Sequence, residues 1–189
     1  EEVEHSGASL VGVVVGRVVS IEKHPKADRL QVCQVSIGKE TLQVVCGGSN
    51  VREGMDVAFA GVGVSVRWHG EGDPIVLEKT TIRGVDSYGM ICASDEIGLL
   101  GRFPKKDEKE IVDLTEYHFA SGTALAEALC MDDAVFVIDN KSLSHRSDLW
   151  GHYGIAREVA ALFRRDVVPL DAPKIAETKG SGVRVSFVQ

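Results

Sequence analysis

The chain has 189 residues and a formal net charge of −7, with 44% hydrophobic and 26% charged residues, a balance that excludes wholesale disorder. No apolar run approaches the ~18–20 residues of a membrane-spanning helix, since Leu10 to Val19 is interrupted by Gly12, Gly16 and Arg17. Residues 1–9 carry three acids and no base, residues 10–100 set 9 Lys/Arg against 11 Asp/Glu, and residues 101–189 set 12 against 14. No segment has the basic excess of a protein that binds nucleic acid by neutralising phosphates, so composition alone speaks against that class.

From Leu10 to about Leu99 the pattern predicts short strands. Val11, Val13, Val15, Val18, Val19 and Ile21 form the first run, ending at His24-Pro25. Leu30, Val32, Val35 and Ile37 alternate with Gln31, Gln34 and Ser36 up to Gly38; Thr41 to Val45 follows and stops at Gly47-Gly48-Ser49-Asn50. Val57 to Ala60, Val64 with Val66, and a single run from Ile75 to Ile82 complete the set. β-Branched runs of this length, punctuated by Gly, Pro and Asn, predict an all-β barrel or sandwich. Beyond Leu100 the chain changes character. A charged loop precedes a short strand at Ile111-Val112, Thr123 is placed to cap a short helix with Leu125 and Leu129, and Ala134 to Ile138 reads as a strand. A helix with a broad buried stripe is expected from about Asp148 to Arg164, then a linker from Val168 and a last strand over Val183 to Val188. The start at Glu1 and the end inside a strand are expected of a piece of a longer protein. With no basic-then-apolar leader, a cytoplasmic location is expected, and Cys33, Cys46, Cys92 and Cys130 are read as reduced thiols.

Little in the sequence points to catalysis or a metal. His145, Ser147 and Asp148 are too close in sequence to converge as a triad, and Ser147 or Asp148 is better read as a helix N-cap. His145 and His152 lack further ligands at metal spacing. Three segments are richer. Lys23, Lys26 and Arg29 cluster around His24-Pro25; Gly47-Gly48-Ser49-Asn50 reads first as a turn; and Ile82 to Leu99 offers Arg83, Ser87 and Ser94 as phosphate or sugar donors, with Met90 able to pack on a base.

These segments together resemble the tRNA-binding domain family of OB-fold modules. The matching pieces are His24-Pro25 with Ala27-Asp28 and Leu30; Val45-Cys46-Gly47 with Asn50-Val51 and Gly54; and Ile82-Arg83-Gly84-Val85 with Ser87, Gly89-Met90, Ser94 and Gly98-Leu99. Among its members, the flanks are similar to the bacterial phenylalanine–tRNA ligase beta subunit, through Glu2-Val3-Glu4 before the module and Gly154-Ile155-Ala156-Arg157-Glu158-Val159-Ala160 after it. The chain departs from that pattern at Ser144-His145-Arg146-Ser147-Asp148, where the family has Asn-Arg-Pro-Asp, and at Gly48-Ser49, where Ala-Pro is commoner.

The resemblance implies a mainly β protein, a Greek-key OB-fold barrel inserted in a small α+β domain. Residues 10–118 would form the barrel, and residues 1–9 with 119–189 parts of the flanking domain. It implies an auxiliary, non-catalytic module that binds tRNA by its backbone, with Lys23, Lys26, Arg29, Asn50, Arg52, Arg83, Ser87, Met90 and Ser94 as candidate contacts. The parent complex would attach phenylalanine to its tRNA using ATP and magnesium, as a heterotetramer of two alpha and two beta subunits. The fragment itself would hold no cofactor and no metal, and no membrane is implied. Two rival readings stand beside this one: a free-standing tRNA-binding protein, and a subunit-packing domain without RNA affinity.

Overall fold

The computed structural model describes residues 2–171; the strand expected over Val183–Val188 lies outside the described residues. They divide into two compact units, one running to Ile138 and one starting at Asp139. The first contains strands β1 Glu2–His5, β2 Val13–Lys23, β3 Gln31–Ser36, β4 Thr41–Cys46, β5 Asp56–Gly61, β6 Ser65–Val66, β7 Ile75–Val76, β8 Thr80–Ile82, β9 Val85–Ser87, β10 Gly89–Ile91 and β11 Ala134–Val137, with a one-turn helix, α1 Leu125–Ala128, before the last strand. The second contains α2 His152–Phe163. No helix among the described residues is long and apolar enough to cross a membrane.

Five strands form an antiparallel sheet in the order β10-β5-β2-β3-β4. Its two edges approach each other, because the Tyr88 amide donates to the Gln43 carbonyl (2.9 Å) and the Val45 amide to the Ser87 hydroxyl (3.1 Å). The result is a nearly closed five-stranded barrel with OB-fold strand order. β2 is long enough to serve both β5 and β3 because its pairing with β3 shifts register between Val18 and Ser20. Such a bulge bends the strand, and it leaves Val19 exposed.

β5 is covered on both faces, and its period of two sorts the core. Val57 and Phe59 point into the barrel with Val18, Val35, Val44, Met55 and Ile91. Ala58 and Ala60 face the other way, into a second layer with Val13, Val15, Leu99, Leu114, Leu125 and Leu129. Leu125 and Leu129 therefore act as a lid on the outside of the barrel. The short helix is not capped by Thr123: Ala124 is the N-cap, without a side-chain bond, and the Thr123 carbonyl instead accepts from the Val15 amide (2.9 Å).

Two further expectations change. The run from Ile75 to Ile82 is two strands, since β7 pairs with β6 and β8 with β9. Leu77 still exchanges backbone bonds with Gly63 and Val64, so the change of partner falls at Glu78-Lys79. Ile111-Val112 is not a regular strand. Ile111 bonds the Asn50 side chain, while the Val112 amide donates to the Cys92 carbonyl (3.1 Å). Cys33, Cys46 and Cys92 are free and buried, and Cys130 is free and exposed.

β1 and β11 pair with each other and bracket the barrel in sequence, so the chain leaves one strand, builds the barrel and returns to that strand's neighbour. In the second unit, α2 begins four residues later than Asp148. Asp148 binds Arg146 in two-pronged fashion (2.9 and 2.8 Å), which takes it away from capping, and Gly151 becomes the N-cap. Arg146 also reaches Glu158 at 3.1 Å, and these two partners raise its affinity for its proton. The expected buried stripe is not seen; Leu162 and Phe163 are exposed among the described residues.

Truncating Phe59, only 1% exposed, to alanine is expected to cost about 3–5 kcal/mol, read as a fall in the urea midpoint; no fall would place the side chain outside the barrel's load path. The acid limb of stability has its own marker. Burial works to raise the Asp113 pKa, but the Thr115 hydroxyl and amide and the Arg52 guanidinium (2.8 Å) outweigh it, leaving the carboxyl below its ordinary 3.8. A depressed carboxyl contributes stability above its unfolded value and loses it as pH falls through the folded one. Asp113→Asn is therefore expected to lower stability at neutral pH and to shrink the loss on acidification below 3.8; urea midpoints that fall in parallel with those of the unsubstituted chain would remove Asp113 from the account.

Candidate nucleic-acid interface

The segment from His24 to Leu30 joins β2 to β3 and is fixed by one buried imidazole. The Lys26 amide donates to His24 Nδ1 (3.1 Å), so Nε2 carries the proton and donates to the Ile82 carbonyl (3.0 Å). That bond ties the loop to the β8–β9 hairpin. Arg83 and Gly84 form the two-residue turn of this hairpin, with φ of 48° and 90°. A turn with two positive φ values matches strand twist, and glycine meets the second at no steric cost. Arg83 occupies the first, an uncommon conformation for a side chain with a Cβ, and its Nη1 donates to the Lys26 carbonyl (3.4 Å). A Cβ on Gly84 would lie 3.3 Å from Lys26 Nζ, so the Lys26 ammonium sits against the turn.

The structure thus brings Lys26 and Arg83 together, with Lys23 and Arg29 at either end of the same loop. All four are exposed or turn-borne cations, and none has a carboxylate within ion-pair distance among the described residues. Arg29 and the half-buried Met90 also line a cleft of about 370 Å³ on this side of the barrel.

The other candidates lie elsewhere or have their polar atoms engaged. Asn50 Nδ2 donates to the Ile111 carbonyl and its Oδ1 accepts the Ile111 amide, both at 3.0 Å, a closed pair that staples the β4–β5 connection to the 111 segment. Arg52 is held by Asp113. Ser87 is buried; its hydroxyl accepts from Val45 and donates to the Gly89 carbonyl (3.0 Å). Ser94 is 2% exposed and its hydroxyl finds no hydrogen-bond partner among the described residues. Gly48 does not offer its amide outward, since it donates to Cys46 Sγ (3.2 Å). Together with a bond from the Cys33 thiol, that donation holds the Cys46 pKa below the usual thiol value, while Cys33 is pushed up.

Most cleft residues have no counterpart among the sequence candidates, a cation and an exposed aromatic included. Lys109 lines the cleft, and Trp68, 53% exposed, stands at it. A tryptophan next to histidine and glycine in a stretch without strand periodicity was the available signal, and none of the motifs of the resemblance includes it.

The family model described as "Putative tRNA binding domain" matches residues 13–123, the stretch that builds the barrel. The chain is also similar to phenylalanine–tRNA ligase beta subunits: 42% identical over 155 residues to that of Wolinella succinogenes (82% of this chain, 18% of the relative), 39% over 172 residues to that of Hahella chejuensis (88% and 19%), and 37% over 197 residues to that of Synechococcus sp. (100% and 23%). It spans about a fifth of the length of these relatives. With the family model covering more than half of the chain and the barrel in the strand order of an OB fold, the chain belongs to the tRNA-binding domain family.

Proposed function

We propose that this chain is the amino-terminal region of a phenylalanine–tRNA ligase beta subunit and that its barrel grips tRNA by the sugar–phosphate backbone. Similarity to such subunits across 82–100% of the chain carries the first half of the reading. The unpaired cations Lys23, Lys26, Arg29 and Arg83, gathered on one loop and one turn, support the second. Met90 lies beside them on the cleft; Asn50, Arg52, Ser87 and Ser94 serve by holding the surface in place. In this reading residues 10–118 are the inserted module, and residues 1–9 and 119–189 belong to the domain that receives it. The parent complex, with an alpha subunit as partner, joins phenylalanine to its tRNA at the cost of ATP in the cytoplasm, and this region adds affinity without taking part in the chemistry. Among the described residues no group of three or more His, Cys, Asp or Glu side chains is placed to hold a metal ion.

Contacts of this kind read shape and charge, not sequence. Each phosphate contact contributes roughly −0.7 to −0.9 to the slope of log affinity against log salt. The double variant Lys26→Gln, Arg83→Gln is therefore expected to bind tRNA more weakly at low salt, with a slope shallower by roughly 1.4 to 1.8, measured by fluorescence anisotropy against phenylalanine tRNA and an unrelated tRNA. Equal affinity and slope in variant and unsubstituted chain would remove the backbone grip from this surface. The subunit-packing reading would then take its place, and it has an observation of its own: Val3, Val135, Phe136 and Val137 leave the β1–β11 ribbon apolar and exposed.

A further inference from the structure

The cleft beside the cationic loop has one wall that an RNA backbone does not require. Trp68 is half-exposed there, and the loop that carries it is fastened down. The Arg67 amide donates to the Glu96 carbonyl (2.9 Å), the Gly70 amide to the Arg67 carbonyl (3.1 Å), and the Glu71 amide to the Trp68 carbonyl (3.2 Å). Gly70, at φ 75°, packs so closely on Asp95 that a Cβ would come within 2.7 Å of that side chain. His69 sets its ring edge-on to the indole at a centroid distance of 5.1 Å. Exposing a large aromatic on a tightly bonded loop forgoes the burial that normally stabilises it. It gives in return a stacking surface whose ordering cost on binding is already met.

The rest of the lining suits one kind of guest. Half-buried Met90 lines the cleft with a polarisable apolar side chain, and exposed Arg29 and Lys109 line it with cations, neither with an ion-pair partner among the described residues, beside exposed Glu108. Glu96 faces the same cleft, with one oxygen accepting the Ala93 amide (2.7 Å) and its pKa raised by burial. A flat aromatic face, an apolar floor, a carboxyl group for amino edges and cations for flanking phosphates match a nucleobase with its phosphodiester.

We infer that the cleft is a binding site for an unpaired nucleobase of single-stranded RNA, which stacks on Trp68 above Met90 while Arg29 and Lys109 hold the adjoining phosphates. The choice of RNA rests on the tRNA-binding reading; the cleft shares Arg29 with the backbone grip but is not lined by Lys26 or Arg83. A paired base cannot enter, because its edge is taken by its partner and its faces by neighbours in the helix, so the site selects single strands, loops or unpaired overhangs.

The sequence supplies its own reporter, since Trp68 and Trp150 are the chain's 2 tryptophans. In the full chain carrying Trp150→Phe, a short mixed-sequence single-stranded RNA is expected to quench the Trp68 emission saturably, and the blunt duplex of the same sequence is not. Trp68→Ala should weaken single-strand binding by roughly tenfold, the order of one lost base stack, with Trp68→Phe recovering part of it. Emission unmoved by the single strand, or undiminished single-strand affinity in Trp68→Ala, overturns the inference. Anisotropy with whole tRNA, run in parallel, separates the two readings. Binding of tRNA that depends on Lys26 and Arg83 without single-strand quenching leaves the backbone grip standing and sinks the base site. Quenching by single strands without tRNA affinity does the reverse.

Discussion

The seam between β4 and the β9–β10 edge is the constraint on which the functional face depends. A barrel of five short strands closes poorly by backbone bonds alone, and here one of the closing bonds is made by a side chain, the Ser87 hydroxyl taking the Val45 amide. Gln43 adds a third tie across the same seam, its Nε2 donating to the Asp86 carbonyl at 2.8 Å. Buried hydrogen bonds of this kind are modest when made and costly when one partner is left alone. Because the seam anchors β9, it also fixes the hairpin that begins at β8, and the hairpin turn delivers Arg83. His24 completes the frame from the other side by bonding Ile82. The grip is thus assembled from a loop and a turn that meet only because the barrel is shut.

That dependence explains why the sequence was legible in some places and opaque in others. The strands were readable because β-branched residues alternate between two cores, as along β5, where Val57 and Phe59 go inward and Ala58 and Ala60 outward. The break at Glu78-Lys79 was not, since a change of partner leaves no mark on hydrophobic periodicity. Among the candidate site residues, Lys26 and Arg83 stand out by motif and charge. Asn50 and Ser87 carry the same polar chemistry as an RNA contact, and only three-dimensional partners reveal that Ile111, Val45 and Gly89 claim it. Asp148 shows the same effect in the second unit, where a nearby arginine competes successfully for a carboxylate that looks like a cap. Trp68 escaped for the opposite reason: it lies in an irregular loop, where neither periodicity nor motif assigns a role.

The acidic composition and the proposed tRNA-binding surface are compatible because charge acts locally. Asp56, Asp86, Asp95 and Asp113 are paired with Arg17, Lys79, Lys105 and Arg52. Each of these pairs is neutral in sum, and none of them engages Lys23, Lys26, Arg29 or Arg83. At physiological salt the screening length is about 8 Å, so a phosphate at that region senses its immediate neighbours far more than the chain's total of −7. Net charge is therefore a poor guide to a local surface, although a total of −7 does oppose the long-range approach of a polyanion.

Weak attraction is what an auxiliary module needs. A few phosphate contacts on their own give modest, salt-sensitive affinity. Within a larger complex that already holds tRNA elsewhere, the second contact becomes intramolecular, at an effective concentration on the order of millimolar when the geometry matches. Under that condition even weak contacts are occupied most of the time, and strong ones would slow release. The fixed loop geometry matters more than the number of charges: a mobile cation would lose part of its contribution to ordering each time tRNA bound. His24, Ser87 and the Arg83-Gly84 turn meet that ordering cost during folding, so that the few unpaired cations act at full effect.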